Sequence, residues 1–183
     1  EKLDFIDREY LSQFDRLEVD SQVALQKPFD HMREEEHTYS LSSDEDEKDN
    51  TYLAYNVVLK DSLDPLMYVA FQVLDYALMS CPGAPLKKAL IESGICKDAY
   101  CEYEKSIRQP CMSIIVKNAN VQDKEKFLKT IRETLLNISE KGINKNSIKA
   151  ALNTMEFKFR EGDYGWIPGG LMYGIQMMDS WLY

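Results

Sequence analysis

The sequence predicts an α+β fold, a two-layer sandwich in which a mostly antiparallel sheet carries helices on one face. Two observations lead to this prediction. Short segments alternate apolar and polar residues, as half-buried strands do, and longer segments repeat apolar residues at helical spacing. These strands and paired helices follow one another along 183 residues, a length that suits one domain better than two.

The first fifty residues contain little regular structure. Residues 1 to about 16 have the apolar spacing of an amphipathic helix, and residues 19–28 are expected to form an extended linker. The charged stretch 31–36 leads to a candidate short strand over 38–42. Residues 43–49 form an acidic loop that lacks the Gly and terminal Glu of an EF-hand, so we expect a solvated loop rather than a calcium site.

The alternating residues of Thr51–Lys60 predict a strand, with Thr51, Leu53, Tyr55, Val57 and Leu59 on one face. Asp64 is expected to cap the following helix, with Pro65 at its first position. This helix has an apolar stripe made of Leu66, Ala70, Val73, Leu74, Ala77 and Leu78.

Residues 81–85 contain two prolines and a glycine, which should end this helix. A short helix is predicted over Leu86–Ser93, and Gly94 suits the left-handed position that closes it. Two further strands are predicted, one around Asp98–Lys105 and one over Met112–Asn118.

A long helix is predicted from about Gln122 to Lys141, with Phe127, Ile131, Leu135 and Ile138 facing inward. Asn144 is expected to cap the next helix, whose predicted buried face is Ile148, Leu152, Met155 and Phe159. The glycines at 162, 165, 169 and 170 should interrupt this helix. An apolar segment follows, ending in Trp181-Leu182-Tyr183, and it suggests that further chain covers it.

Composition excludes several classes of partner. Thirty-one acidic against 22 basic residues give a net charge of −9 without a basic cluster, so we expect neither nucleic acid nor an anionic membrane as a partner. The apolar stretches are shorter than the roughly 18–20 residues that a bilayer requires.

The four cysteines lack metal-binding or thioredoxin-type spacing, and reduced thiols in a reducing compartment are expected. The cytoplasm is the default location, with an organelle matrix as the other option.

Both histidines lie in a tempting stretch between His31 and His37, which also holds three glutamates. An inverted zinc-peptidase motif has the form His-x-x-Glu-His, and here Glu35 stands where the second histidine belongs. His31 and His37 would point about 240° apart on a helix and lie about 20 Å apart on a strand. We therefore predict no metal ligand, no catalytic residue and no cofactor-binding residue in this chain. A hydrolase that uses Cys81 as nucleophile is a remote hypothesis, because a packed thiol explains that position better.

Three stretches of the sequence together have a recognisable pattern, and they are residues 64–94, residues 112–144 and residues 151–183. The most specific pieces are the Ala-Pro-Leu-x-x-Ala-Leu-x-Glu-Ser-Gly run that starts at Ala84 and the Asn-Thr-x-Glu-Phe run that starts at Asn153. In this order the stretches resemble the insulinase (pitrilysin) family of zinc peptidases, in particular its presequence-protease branch. The similarity covers nearly the whole chain.

The resemblance implies that residues 1–30 are a helix and linker from a preceding domain and that 31–183 is a non-catalytic insulinase-type α/β domain, truncated at its C-terminal end. Such a domain would form part of the wall of a closed chamber in which a large zinc oligopeptidase cuts short peptides. Zinc is then expected in the catalytic domain of the parent and not in this fragment. The expected partners are other domains of the same polypeptide and the peptide substrate of the parent. A stand-alone peptide-binding or interaction module of the same fold is the alternative.

Overall fold

The computed structural model describes residues 1–20, 22–162 and 164–181, with the side chains of 180 and 181 excepted. Helices cover one face of a sheet, so the α+β sandwich predicted from the sequence is confirmed. The elements are α1 (Lys2–Glu9), β1 (Thr51–Val58), α2 (Pro65–Asp75), α3 (Pro85–Glu92), β2 (Asp98–Glu104), β3 (Cys111–Ala119), α4 (Lys124–Lys141), α5 (Lys145–Glu161) and α6 (Gly169–Trp181). Short 3₁₀ helices at 11–13 and 121–123 and a π turn at 76–80 complete them.

The three strands of the described chain are antiparallel in the order β1-β3-β2, so β3 is central. The register places Val116 of β3 between Leu53 of β1 and Ala99 of β2. Neighbouring residues along a strand point to opposite faces of the sheet. The row of Leu53, Val116 and Ala99 therefore lies under the helices, and so does the row two residues further along each strand. Val116 and Ala99 are fully buried, whereas Tyr52 on the other face of β1 is 52% exposed.

The core lies between this sheet face and helices α3 and α4. Phe127 and Ile131 of α4 are buried there, as the predicted stripe of this helix requires, and Leu135 and Ile138 pack beside them. The other members of the core are Leu78, Met79, Leu86, Leu90, Ile95, Cys96, Ala99, Ile114, Val116 and Ala119.

The predicted cap of α2 is confirmed. Asp64 accepts hydrogen bonds through Oδ1 from the backbone N–H groups of Leu66 and Met67, at 3.0 and 3.1 Å, and Pro65 occupies the first helical position. The helix continues into the π turn, whose residues Ala77, Leu78 and Met79 are buried. Gly94 has a φ of +72°, the left-handed conformation expected after α3.

Two predictions near the N-terminus are wrong. The first helix ends at Glu9 and only a 3₁₀ turn follows, because its apolar side chains find no surface to cover and a short isolated helix is marginal. The stretch 38–42 forms no strand. Tyr39 instead stacks edge-on against Tyr52, with ring centroids 5.7 Å apart, so its contact is made by the side chain rather than by a backbone ladder.

The predicted buried face of α5 is partly wrong. Ile148 and Met155 are partly buried, but Leu152 is 48% and Phe159 is 62% exposed. Ala151 is fully buried instead. The reason is that α5 packs on α2 and the π turn, and this contact covers only one flank of its apolar stripe.

The glycine-rich segment after α5 both ends one helix and begins another. Gly162 adopts the left-handed conformation, with a φ of +52°, and closes α5 as predicted. Gly169 and Gly170 form the first turn of a separate helix, α6, which the sequence pattern did not predict. Leu182 and Tyr183, the end of the predicted apolar run, lie outside the described residues. Across the described ranges, none of the helices has both the length and the apolar character that crossing a membrane requires.

Candidate functional site

The charged connector that holds both histidines is exposed along its whole length and lacks helix or strand. His37 Nε2 lies 3.5 Å from Glu35 Oε2, and both side chains are mostly in solvent. Among the described residues, no group of three or more His, Cys, Asp or Glu side chains is placed to hold a metal ion. A zinc site needs three or four such ligands in tetrahedral geometry, so the described residues do not fit a zinc ion.

Cys81 is buried, with 7% of its surface exposed, and its thiol donates to the Ala77 carbonyl at 3.4 Å. A nucleophile has to be reachable by its substrate and activated toward the thiolate. Cys81 is too buried for a substrate to reach, so it is a packing residue. The four cysteines of the chain are all free thiols.

One partly buried polar cluster lies between α2, β2 and α5. Asp75, at the end of α2, has its Oδ1 fully buried and without a hydrogen-bond partner among the described residues. Burial raises the pKa of the Asp75 carboxyl, while the Cys101 thiol on β2 and the Lys158 ammonium on α5 oppose the rise. Burial, with the nearby Asp75 charge, raises the pKa of the Cys101 thiol to about 12. The cluster therefore disfavours negative charge and provides no reactive thiolate.

We expect Asp75→Asn to make folding stability less dependent on pH. Because the folded-state pKa of Asp75 lies above its usual value of 3.8, the folded chain binds the extra proton more tightly than the unfolded chain. Its contribution is fully present below that usual value and is lost as pH rises through the raised pKa. The free energy of unfolding of the variant should exceed that of the wild type at about pH 8, and the difference should shrink toward about pH 4.

Urea denaturation at both pH values measures this difference. Glu102→Gln is the control, because Glu102 lies on the exposed face of β2. This variant also removes one negative charge, but that charge is solvated rather than buried. A pH profile that is the same for Asp75→Asn and the wild type would show that the burial of this carboxyl does not affect stability.

A second cluster lies where α2, the end of β2 and α6 meet. Tyr68 Oη donates to Asp179 Oδ2 at 3.5 Å, and Lys105 Nζ donates to Gln72 Oε1 at 3.2 Å. Lys105 Nζ also lies 5.2 Å from the Tyr68 ring centre, a cation–π contact. Burial lowers the pKa of Lys105, and burial together with the Asp179 charge raises the pKa of Tyr68 to about 12.

The space beside this second cluster is too small for a substrate. A cavity of about 20 Å³ is lined by Tyr68, Phe71 and Tyr103 together with residues of the 59–62 turn. That volume holds about one water molecule. Lys105 is paired with Gln72 and with the Tyr68 ring, and Tyr68 is paired with Asp179, so the cluster links α2 to α6.

Sequence reasoning missed both clusters. Asp75 is the only charged residue between Pro65 and Ser80, and a lone carboxylate in an apolar helix is a signal that could have identified it. Lys105 gave no such signal, because its neighbours come from three separate elements that only the fold brings together.

The comparison with known families identifies the chain. The sequence profile described as the peptidase M16 inactive domain matches residues 1–155. The chain belongs to the peptidase M16 inactive-domain family. The resemblance to insulinase-type zinc peptidases and their presequence-protease branch is thereby confirmed.

Curated relatives of this M16 domain are much longer proteins. Protein HypA of Clostridium perfringens is 43% identical over 182 residues, which are 100% of this chain and 19% of HypA. The chloroplastic and mitochondrial presequence protease 1 of Arabidopsis thaliana is 29% identical over 96% of this chain, which is 17% of the length of that protease. The mitochondrial presequence protease of Mus musculus is 31% identical over 84% of this chain, which is 15% of the length of that protease. The chain thus spans less than a fifth of the length of these relatives.

Two solved structures share the fold of this domain. One is the inactive peptidase domain of a proposed zinc protease from Bordetella parapertussis, with a TM-score of 0.53 at 15% identity over 61% of this chain and 60% of that one. The other, from a proposed zinc protease of Bordetella pertussis Tohama I, has a TM-score of 0.54 at 16% identity and the same coverage. At these identities the likeness supports the α+β architecture alone.

Proposed function

We propose that this chain is a non-catalytic domain of a larger zinc-dependent oligopeptidase that degrades short peptides inside a closed chamber. The observation that carries the proposal is the match of residues 1–155 to the M16 inactive domain. The clusters at Asp75 and Lys105 agree with it, because both lie between secondary-structure elements and the cavity beside the Lys105 cluster holds about one water molecule. Zinc and the reacting groups belong to another domain of the parent.

Within this proposal, residues 1–30 come from a preceding domain and residues 31–183 form the M16 inactive domain. The described contacts support the division, since the described residues of α1 and of the linker are exposed and reach the rest of the described chain at few points. One is the backbone N–H of Gln26, which donates to Gln109 Oε1 at 2.5 Å. The partners are the other domains of the polypeptide and its peptide substrate. The compartment is the cytoplasm or an organelle matrix, and the mitochondrial names of several relatives favour the second.

Zinc stoichiometry on the purified, tag-free chain tests the absence of a metal site. After dialysis against a weak chelator we expect close to no zinc per chain and no hydrolysis of unstructured peptides. About one zinc per chain, lost in His31→Ala or His37→Ala, would contradict the proposal and make the charged connector a site.

The parent polypeptide provides the complementary test. There we expect about one zinc and peptide hydrolysis, both retained when His31 and His37 are replaced together by alanine, because these side chains are exposed and far from forming a tetrahedral set. A native polypeptide of about 183 residues that binds peptides tightly on its own would instead favour the stand-alone binding module.

A further inference from the structure

The C-terminal part of the chain has an uncharged apolar surface that the rest of the domain does not cover. Residues 164–178 contain no charged side chain, although 29% of the whole chain is charged. Trp166 is 92% exposed, and Leu171, Ile175 and Met177 are 55%, 43% and 68% exposed. Isolated apolar residues are normal on a protein surface, but a continuous uncharged stretch of this length is not.

Helix α6 has apolar side chains on all of its sides. At 100° per residue, Leu171, Ile175 and Met178 lie on one side, and Tyr173 and Met177 lie on the opposite side. A helix that is apolar all round is normally buried in a protein core or in a membrane. At 13 residues α6 is too short to span a bilayer, which leaves a protein surface as its cover.

The exposed flank of α5 continues this surface. Tyr173 of α6 donates to the Phe159 carbonyl at 3.5 Å, and its ring stacks edge-on against Tyr164 with centroids 6.0 Å apart. Phe159 and Leu152 are the residues of α5 that were predicted to be buried and are not. We use the name α5–α6 surface for the exposed apolar side chains of this region, which are Leu152 and Phe159 on α5, Trp166 before α6, and Leu171, Ile175 and Met177 on two sides of α6.

We propose that the α5–α6 surface is a permanent contact with the apolar face of another domain of the same polypeptide. Permanent interfaces resemble a domain core cut in half, and a surface of exposed Leu, Ile, Met, Phe and Trp side chains has that character. All of this chain matches a segment that makes up 19% of HypA. The other 81% (100 − 19) of HypA lies outside the match. A neighbouring domain in the same polypeptide has an effective concentration in the millimolar range, which favours it over a second copy of this chain.

This inference rests on the proposed function, because it requires a longer parent. Hydrogen exchange measured by mass spectrometry on the parent and on the 183-residue chain tests it. We expect amides of residues 164–178 to exchange at least about 100-fold more slowly in the parent, since a covered helix opens less often. Amides of the buried core of α4 should exchange at similar rates in both, which is the internal control.

Variants of the parent sharpen the test. Trp166→Glu with Ile175→Glu should abolish the slow exchange at 164–178 and leave α4 unchanged. Leu136→Glu, at a 56% exposed apolar position on α4, is the matched control and should leave 164–178 protected. Protection that survives the double variant would overturn the assignment of this surface.

The remaining outcomes separate the two proposals. Fast exchange at 164–178 in a longer parent would overturn the surface and leave the proposed function standing. Protection that rises with protein concentration would identify a second copy as the occupant and overturn the choice of a neighbouring domain. A native polypeptide that ends with this chain would overturn the proposed function and, with it, this inference.

Discussion

Phe127→Ala should lower the free energy of unfolding by about 3–5 kcal/mol, a loss large enough to unfold much of the protein. Phe127 is 1% exposed and lies in α4 against the inward face of the sheet, in contact with the core that Leu86, Leu90 and Val116 form. Removing the ring loses the free energy gained by transferring it from water into the core. It also leaves a cavity that the helix and strands can fill only partly. Urea denaturation followed by circular dichroism measures the loss.

Leu136→Ala is the matched control for this substitution. Leu136 lies on the same helix but is 56% exposed, so its truncation removes little buried surface. Its expected effect is within about 0.5 kcal/mol, as for most surface substitutions. Equal losses in the two variants would mean that Phe127 does not face the core from α4.

Ala151→Glu should cost at least about 3 kcal/mol, because it places an unpaired charge in a dry contact. Ala151 is fully buried where α5 packs on α2 and the π turn. Glutamate is a good helix former, so helix propensity contributes less than about 0.7 kcal/mol to this loss. Thermal and urea denaturation of the isolated chain both report the effect.

Leu152→Glu changes the neighbouring residue and is the control. Leu152 is 48% exposed, and the charge it introduces remains solvated, so we expect a loss of about 1 kcal/mol or less in the isolated chain. In the parent the same substitution should cost more, because Leu152 belongs to the α5–α6 surface. If Leu152→Glu destabilised the isolated chain as strongly as Ala151→Glu, then α5 would not pack on α2 and the π turn through its Ala151 side.

The two α5 variants also bear on how a non-catalytic domain contributes to a peptidase. This M16 inactive domain has polar clusters that hold its own elements together and an apolar surface that they leave open. Under the proposed function, such a domain affects catalysis by fixing the positions of its neighbours. Substitutions at its uncovered surface are therefore expected to affect the parent more than the isolated chain.

The sequence by itself determined the elements whose patterns are local. Alternation in β1 and β3, the apolar stripe of α4 and the Asp64-Pro65 cap depend on spacing within one segment, and the structure has all of them. The missing His-x-x-Glu-His motif is likewise a local fact, and so is the series of residues that resembles the presequence proteases. These features can be read from the sequence because helix and strand periods are properties of the backbone.

Only the tertiary structure decided which side of each pattern is covered. The stripe of α5 includes Leu152 and Phe159 at correct helical spacing, but burial depends on what lies opposite, and α2 with the π turn lies against Ala151 instead. The same reason explains the Asp75 and Lys105 clusters, whose partners come from β2, α5 and α6. It also explains α6, a helix that begins at two glycines and that the local sequence pattern did not predict. Periodicity fixes the direction of a side chain relative to its own helix or strand, whereas its neighbours are set by the packing of the whole domain.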